Sequence, residues 1–240
     1  KSLEELHALF GDFAAKAETA IINADDAESA PLLGAPNVTS FGFANTAMMR
    51  GSNFTPLAGG SEFTASYQGE SATIRLSMPG RHNAANALAA MAAAAALGIP
   101  LARSAAALAA FKGLARRYEV LGEAQGVTVI DDFGHNPDKV AATLSAAKDV
   151  SGRLLLFFQP HGYGPLRQMG RELAASFAQG MGADDLLYVS DPVYFGGTVD
   201  RSHGSAEFVA DIKAQGGNAE HIPARADCGE AILAEARAGD

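Results

Sequence analysis

The segment Val127–Lys139, VTVIDDFGHNPDK, runs from four apolar or β-branched residues straight into Asp131, Asp132, Phe133, Gly134, His135 and Asn136. A buried strand that ends in such residues just before a helix puts them at the carboxyl edge of a parallel sheet, where open α/β sheets bind ligands. There Asp132 can accept hydrogen bonds from a ribose or cap the following helix, although Asp138 is the more natural cap by position. His135 can hold a phosphate or carboxylate, or bond a neighbouring loop. Two further strand candidates end the same way, in Gln159-Pro160-His161-Gly162-Tyr163 and Ser190-Asp191-Pro192-Val193-Tyr194. Two histidines and three aspartates beside two Xaa-Pro turns exceed ordinary loop polarity, so the three strand ends predict one shared binding edge.

A second cluster, Pro79-Gly80-Arg81-His82-Asn83-Ala84-Ala85-Asn86, opens a helix. Exposed N–H groups and the helix dipole favour anions and polar ligands there, while the plainer alternative is a capped helix with Asn83 or His82 in its first turn. Arg116-Arg117 is either an exposed basic pair or a phosphate clamp at a hinge. No GxxxxGK[ST] phosphate loop is present, and Gly196-Gly197-Thr198 lacks the lysine. GxSxG and HExxH are absent, and no carboxylate cluster has metal spacing, so no metal ligand is assigned.

The positioning elements follow from periodicity. Leu3, Leu6, Phe10 and Phe13 recur at helical spacing, so the opening is an amphipathic helix. Ala20–Asn23 and Val38–Phe43 read as strands, and Phe63–Tyr67 and Thr73–Met78 as a hairpin turning at Gln68-Gly69-Glu70. An alanine-rich helix from about His82 to Leu97 is closed by Gly98 and Pro100, and a short helix covers Ser104–Phe111. GLARR, Gly113 to Arg117, reads as a hinge, with a domain boundary near residue 115. Beyond it strands at Val127–Ile130, Leu154–Phe158, Leu186–Val189 and His221–Ile222 alternate with helices at about Lys139–Lys148, Met169–Met181, Ala206–Gln215 and Cys228–Arg237. Such alternation means βαβ units and a mainly parallel sheet, an α/β fold.

At 240 residues the chain makes one large or two modest domains. A net charge of -9 disfavours nonspecific nucleic-acid binding. The lone Cys228 excludes an internal disulfide and fits a reducing cytoplasm; in its alanine-rich setting it reads as a small helix residue rather than a nucleophile. No apolar run reaches the ~20 residues of a membrane span, and KSLEELHALF does not read as a signal peptide.

Three motifs in this order, PGRHNAANALAAMAAAAALGI, RRYEVLGEAQGVTVIDDFGHNPDK and LLFFQPHGYGPL, resemble the Mur ligases of peptidoglycan synthesis, nearest to the UDP-N-acetylmuramate–L-alanine ligases and the murein-tripeptide-recycling enzymes. The resemblance implies that residues 1–114 are the second half of a central ATP-binding domain and residues 115–240 a Rossmann-like C-terminal ligase domain. It implies a fragment inactive alone: the UDP-binding domain, the phosphate loop and the strand expected after Ala238-Gly239-Asp240 lie outside the chain. The implied reaction is ATP-dependent amide formation: a UDP-N-acetylmuramate carboxylate becomes an acyl phosphate, an amino acid or peptide amine attacks it, and Mg2+ neutralises phosphate charge. By motif, His82, Asn83 and Asn86 would hold the adenine side, Asp132 the ribose, and Arg117 the γ-phosphate across a closing hinge. Arg117 and His135 would act in catalysis, and His135, Asn136, His161, Tyr163 and Arg167 would face the substrates. Two positions depart from the alanine-adding pattern: Gly162 and Pro165-Leu166 stand where arginines are usual, and Asn136 where the second histidine of HHP is usual. A non-catalytic module binding a nucleotide or cell-wall peptide is the alternative; a dinucleotide oxidoreductase is disfavoured because no GxGxxG follows a strand.

Overall fold

The structure, a computed structural model, describes residues 2–57, 59–194, 196, 198 and 200–240. The chain divides into two compact units, Lys1–Gly113 and Leu114–Asp240.

The first unit begins with α1 (Leu3–Ala15), started by a capping box between Ser2 and Glu5. Its helical spacing is as expected, but its apolar face is not covered among the described residues: Phe10 and Phe13 are 62% and 75% exposed. The sheet runs β1 (Ala20–Asn23), β2 (Val38–Gly42), β3 (Met49–Leu57), β4 (Gly60–Tyr67) and β5 (Glu70–Leu76), in that spatial order. β1, β2 and β3 are parallel, and β3, β4 and β5 form an antiparallel meander. The hairpin turn is Gln68-Gly69 alone, with φ of 49° and 86°, so Glu70 is already paired to Tyr67. β3 was not expected. Its sequence MRGSNFTPL carries glycine, asparagine and proline, and its register shifts between Ser52 and Thr55.

Alternate residues of β4 and β5, Phe63, Ala65, Ile74 and Leu76, face a core closed by α2 (Arg81–Ala96) and α3 (Leu101–Ala110). Ala84, Ala87, Leu88, Met91 and Ala92 form the buried stripe of α2 at spacings of three and four. α2 ends in a Schellman motif, with Gly98 (φ 76°) donating to Ala95 and Ile99 donating to the Ala94 carbonyl at 3.0 Å.

The second unit departs from expectation at its first strand. β7 (Val127–Asp131) does not lie in the parallel sheet; it pairs antiparallel with β6 (Glu119–Ala124) through the Gln125-Gly126 turn. This ribbon is largely wet, with Val129 49% exposed, so apolar character alone misplaced it. Thr128 N–H donates to Asp240 O at 2.9 Å and Gly239 N–H to Gly126 O at 2.7 Å, so residues 238–240 lie along the ribbon.

After α4 (Pro137–Lys148), the chain alternates as expected: β8 (Leu155–Phe158), α5 (Tyr163–Gly180), β9 (Leu186–Val189), α6 (Ser205–Ala214), β10 (Ala219–His221) and α7 (Arg225–Glu235). The three strands are parallel in the order β10-β9-β8. Phe158, Phe177 and Phe208 join sheet and helices, with ring centroids 5.2 to 6.2 Å apart. Cys228 is buried in α7, with Sγ 3.4 Å from Ile222 O, and burial pushes its thiol up.

Fully buried Asp185 accepts from Lys148 Nζ, Leu154 N–H and Gly182 N–H at 2.7, 2.8 and 2.7 Å. Asp185→Ala orphans those donors and should cost about 3 kcal/mol, read as an earlier unfolding midpoint for the second unit with the first unit unmoved. Arg153 donates to both carboxylate oxygens of Asp240, and this bond is the main cause that holds the carboxyl down from 3.8 to about 2. Its stabilisation is therefore full above pH 3.8 and lost as pH falls through about 2. In acid titration between pH 4 and 2, wild type should lose more stability than Asp240→Asn, and equal slopes would contradict the assignment.

Candidate functional site

The expected motif loop joins β7 to α4. Asn136 is the N-cap of α4, accepting from Lys139 N–H at 2.9 Å, with Pro137 next; Asp138 sits exposed in the first turn and is not the cap. Proline at the first helical position moves the cap one residue upstream of it. Asp132 is not a cap either. Its carboxylate accepts from Tyr118 N–H at 2.8 Å and Thr143 Oγ1–H at 2.9 Å. It thereby ties the incoming chain to the side of α4. Burial first, then the charges of Asp149 and Asp132, push the Tyr118 phenol up, so it stays neutral.

His135 lies with Nδ1 2.9 Å from Phe133 O. A carbonyl only accepts, so Nδ1 carries the proton and Nε2 is left as the basic nitrogen of the neutral ring. The Phe133 ring stands 4.9 Å from His135 and 6.3 Å, edge-on, from His161, so this loop does reach the end of β8. Arg116 lies over the same ring at 4.7 Å and 3.4 Å from Asp131, and its carbonyl accepts from Phe133 N–H at 2.9 Å. Arg117, the expected phosphate residue, is exposed, and its guanidinium meets no partner among the described residues. Of the arginine pair, the first braces the loop and the second is exposed.

The ends of β8 and β9 are stitched together. Val193 N–H donates to Pro160 O at 3.0 Å and Gln159 Nε2 to Asp191 O at 3.1 Å, while His221 Nε2 is 2.7 Å from Asp191 Oδ1. Exposed His161 precedes α5, and Tyr163 opens that helix edge-on to Tyr194 at 6.5 Å. Arg167, one turn on, lies 3.5 Å from Asp200, so this candidate is already paired. Gly197 of the glycine pair lies outside the described residues.

In the first unit, the other cluster starts α2 after Gly80 (φ 93°), with no side-chain cap. Asn83 Nδ2 donates back to Pro79 O at 2.7 Å, so that amide closes its own turn. His82 and Asn86 are exposed. Arg81 covers the Phe43 ring at 4.0 Å and borders a shallow cleft of about 320 Å³ that Phe43, Asn45 and Arg50 also line. Behind the sheet edge, Asp25 accepts from Phe43 and Ala44 N–H, and only glycine fits at Gly42, where a Cβ would lie 2.7 Å from that carboxylate.

Within the second unit His135 and His161 thus stand against Phe133, with Asp132 and Asn136 on the same loop and Tyr163 two residues past His161. Thr143 and His221 were missed as contributors, and Arg116, expected only as one of an exposed basic pair or phosphate clamp, braces the loop instead. Thr143 and His221 carry no local signal, because each meets its carboxylate only through the tertiary fold. Among the described residues no three of His, Cys, Asp or Glu could hold a metal ion, and no helix is long and apolar enough to cross a membrane.

Two family models match the chain, one within each unit. The Mur ligase middle domain matches residues 2–94, and the Mur ligase, glutamate ligase domain, matches residues 116–240. The chain is 34% identical over 243 residues to a UDP-N-acetylmuramate--L-alanine ligase of Deinococcus radiodurans, covering 100% of this chain and 49% of that protein. It is 36% identical over 216 residues to the enzyme of that name from Novosphingobium aromaticivorans, covering 85% and 44%. The chain therefore spans less than half the length of these curated relatives. Among solved structures, the Thermotoga maritima UDP-N-acetylmuramate-alanine ligase aligns with a TM-score of 0.70 at 22% identity, over 93% of this chain and 47% of that one, a likeness of fold. A murein peptide ligase from Psychrobacter arcticus aligns with a TM-score of 0.61 at 26% identity, over 99% and 50%. With each unit matched by its own family domain and a relative 34% identical across the whole length, the chain belongs to the Mur ligase family.

Proposed function

We propose that this chain supplies part of the ATP site and the amine-accepting site of an ATP-dependent ligase that joins an amino acid or peptide to UDP-N-acetylmuramate in peptidoglycan synthesis. The observation that carries the reading is the Asp132–Asn136 loop, braced by Tyr118, Thr143 and Arg116 and set beside His161. ATP, when bound, supplies the phosphoryl group that activates the sugar carboxylate as an acyl phosphate. His82, Asn83 and Asn86 bind its adenine side, Asp132 its ribose and Arg117 its γ-phosphate. Asp132 keeps lone pairs for a ribose hydroxyl beside its two internal bonds, since an ionised carboxylate offers about four acceptor sites. His135 Nε2 is the available base for the proton that an attacking amine must lose. His161, Asn136, Tyr163 and Arg167 line the amine side. No residue of this chain is assigned to magnesium. The acidic chain supports no nucleic-acid partner, and the nucleotide-sugar chemistry with a free thiol at Cys228 supports a cytoplasmic place of action.

A second reading keeps the mechanism and changes the amine to a murein tripeptide. It is favoured by Gly162 and Asn136, the two positions where the sequence departs from the alanine-adding pattern.

The direct test is ATP-dependent phosphate release by the full-length protein with UDP-N-acetylmuramate and a panel of L-alanine, other amino acids and the murein tripeptide. Release that depends on one amine is expected, and none with any amine from a folded protein would leave a binding module. In the active protein, Asp132→Ala should raise KM for ATP by roughly tenfold or more. Arg117→Ala should lower kcat by a similar factor, with little change in KM for ATP or in unfolding temperature, because the side chain is exposed; lost stability instead would make Arg117 structural.

A further inference from the structure

Two aspartates follow β1, and they do different things. Asp26 caps the short 3-10 helix Ala27–Leu32, accepting from Glu28 N–H at 3.1 Å. Asp25 instead reaches across to the end of β2. Its two oxygens accept from Phe43 N–H at 2.9 and 2.7 Å, and one of them also accepts from Ala44 N–H at 2.6 Å. The Asp25 N–H donates to Asn23 Oδ1 at 3.0 Å, which fixes the carboxylate's own backbone. Gly42, with φ of 144°, admits this approach. Hydrogen bonds from backbone N–H to an ionised carboxylate are stronger than neutral ones, so the turn Gly42–Asn45 is held from one side chain.

That turn carries the Phe43 ring. The ring packs so closely on β3 that a Cβ at Gly51 would lie 2.6 Å from it, and Phe54 meets it edge-on at 6.2 Å. Arg81, the first residue of α2, lies over the same ring at 4.0 Å. Phe43, Asn45 and Arg81 line one cleft, and His82 and Asn83 follow Arg81 directly. A chain of contacts therefore runs from Asp25 through Phe43 to the first turn of α2.

We propose that Asp25 is a positioning residue for nucleotide selection: by holding the Gly42–Asn45 turn it sets the cleft wall and, through Phe43 and Arg81, the start of α2 that faces the base of the nucleotide. It acts through Phe43 and does not itself touch the ligand. The inference rests on the ligase reading and adds to it a residue that tunes which base is accepted.

The test uses the full-length protein and compares wild type, Asp25→Ala and Asp25→Asn in amine-dependent phosphate release with ATP and with GTP, alongside unfolding temperatures. Wild type should prefer ATP. Asp25→Ala should raise KM for ATP by roughly tenfold, lower the preference for ATP over GTP by a similar factor, and leave kcat and KM for the amine within about twofold; Asp25→Asn, which keeps one accepting oxygen, should fall between. If Asp25→Ala does not fold, Asp25→Asn carries the same comparison. A structural role alone would lower the unfolding temperature and leave KM for ATP and the ATP-to-GTP ratio intact, which overturns the proposal. A fall in kcat with KM for ATP unmoved would place Asp25 at the reacting phosphates and also overturns it. An active wild type indifferent to the base, or variants that match wild type, sinks this inference alone, whereas a wild type that uses no amine sinks the ligase reading, and the inference with it.

Discussion

The Asp132 carboxylate is the constraint on which the candidate site depends. It accepts from the Tyr118 amide on one side and the Thr143 hydroxyl on the other. Those bonds join the chain where it enters the second unit to α4, with the motif loop between them. Tyr118 and Arg116 have φ of 51° and 58°, the left-handed region that costs non-glycine residues of order 1 kcal/mol or more. That cost is offset by fixed partners: Asp132 for Tyr118 N–H, Glu119 Oε2 for Arg116 N–H at 2.8 Å, and Phe133 N–H for the Arg116 carbonyl. A loop held from three sides keeps its geometry before any ligand arrives, which is what a positioned general base requires.

The bracing also sorts the charges. Arg116 is spent on Phe133 and Asp131, while Arg117, its neighbour, stays in solvent. Phe133 gives both Arg116 and His135 an aromatic surface to lie against. Bonding of His135 Nδ1 to a carbonyl settles which ring nitrogen can accept a proton. Past the ends of β8 and β9, Asp191, Asp200 and Glu207 likewise each have a partner.

Much of this was legible in the sequence, and the misses have physical causes. The βαβ alternation after residue 150 was readable because the strands are short apolar runs, LLFF and LLYV, set between helical segments. β7 was misplaced because VTVI satisfies a buried strand and a wet ribbon equally; only its pairing with Glu119–Ala124, across a turn that Gln125-Gly126 signals weakly, decides. β3 hid behind Gly51, Asn53 and Pro56. The cap went to Asn136 rather than Asp138 because Pro137 takes the first helical position. The site loop itself was visible as a cluster of polar types, yet its bracing was not: Asp132 meets Thr143 and Tyr118 only after α4 and the incoming chain have packed.

Amide hydrogen exchange at Tyr118 tests the bracing most directly, because that N–H has a side-chain carboxylate for its acceptor. In wild type it should be protected, and both Asp132→Asn and Thr143→Val should speed its exchange, the first by roughly tenfold or more and the second by less, while β8 and β9 amides keep their protection. Exchange at the rate of an unprotected amide in wild type, or equal protection in all three proteins, would contradict a loop held by Asp132.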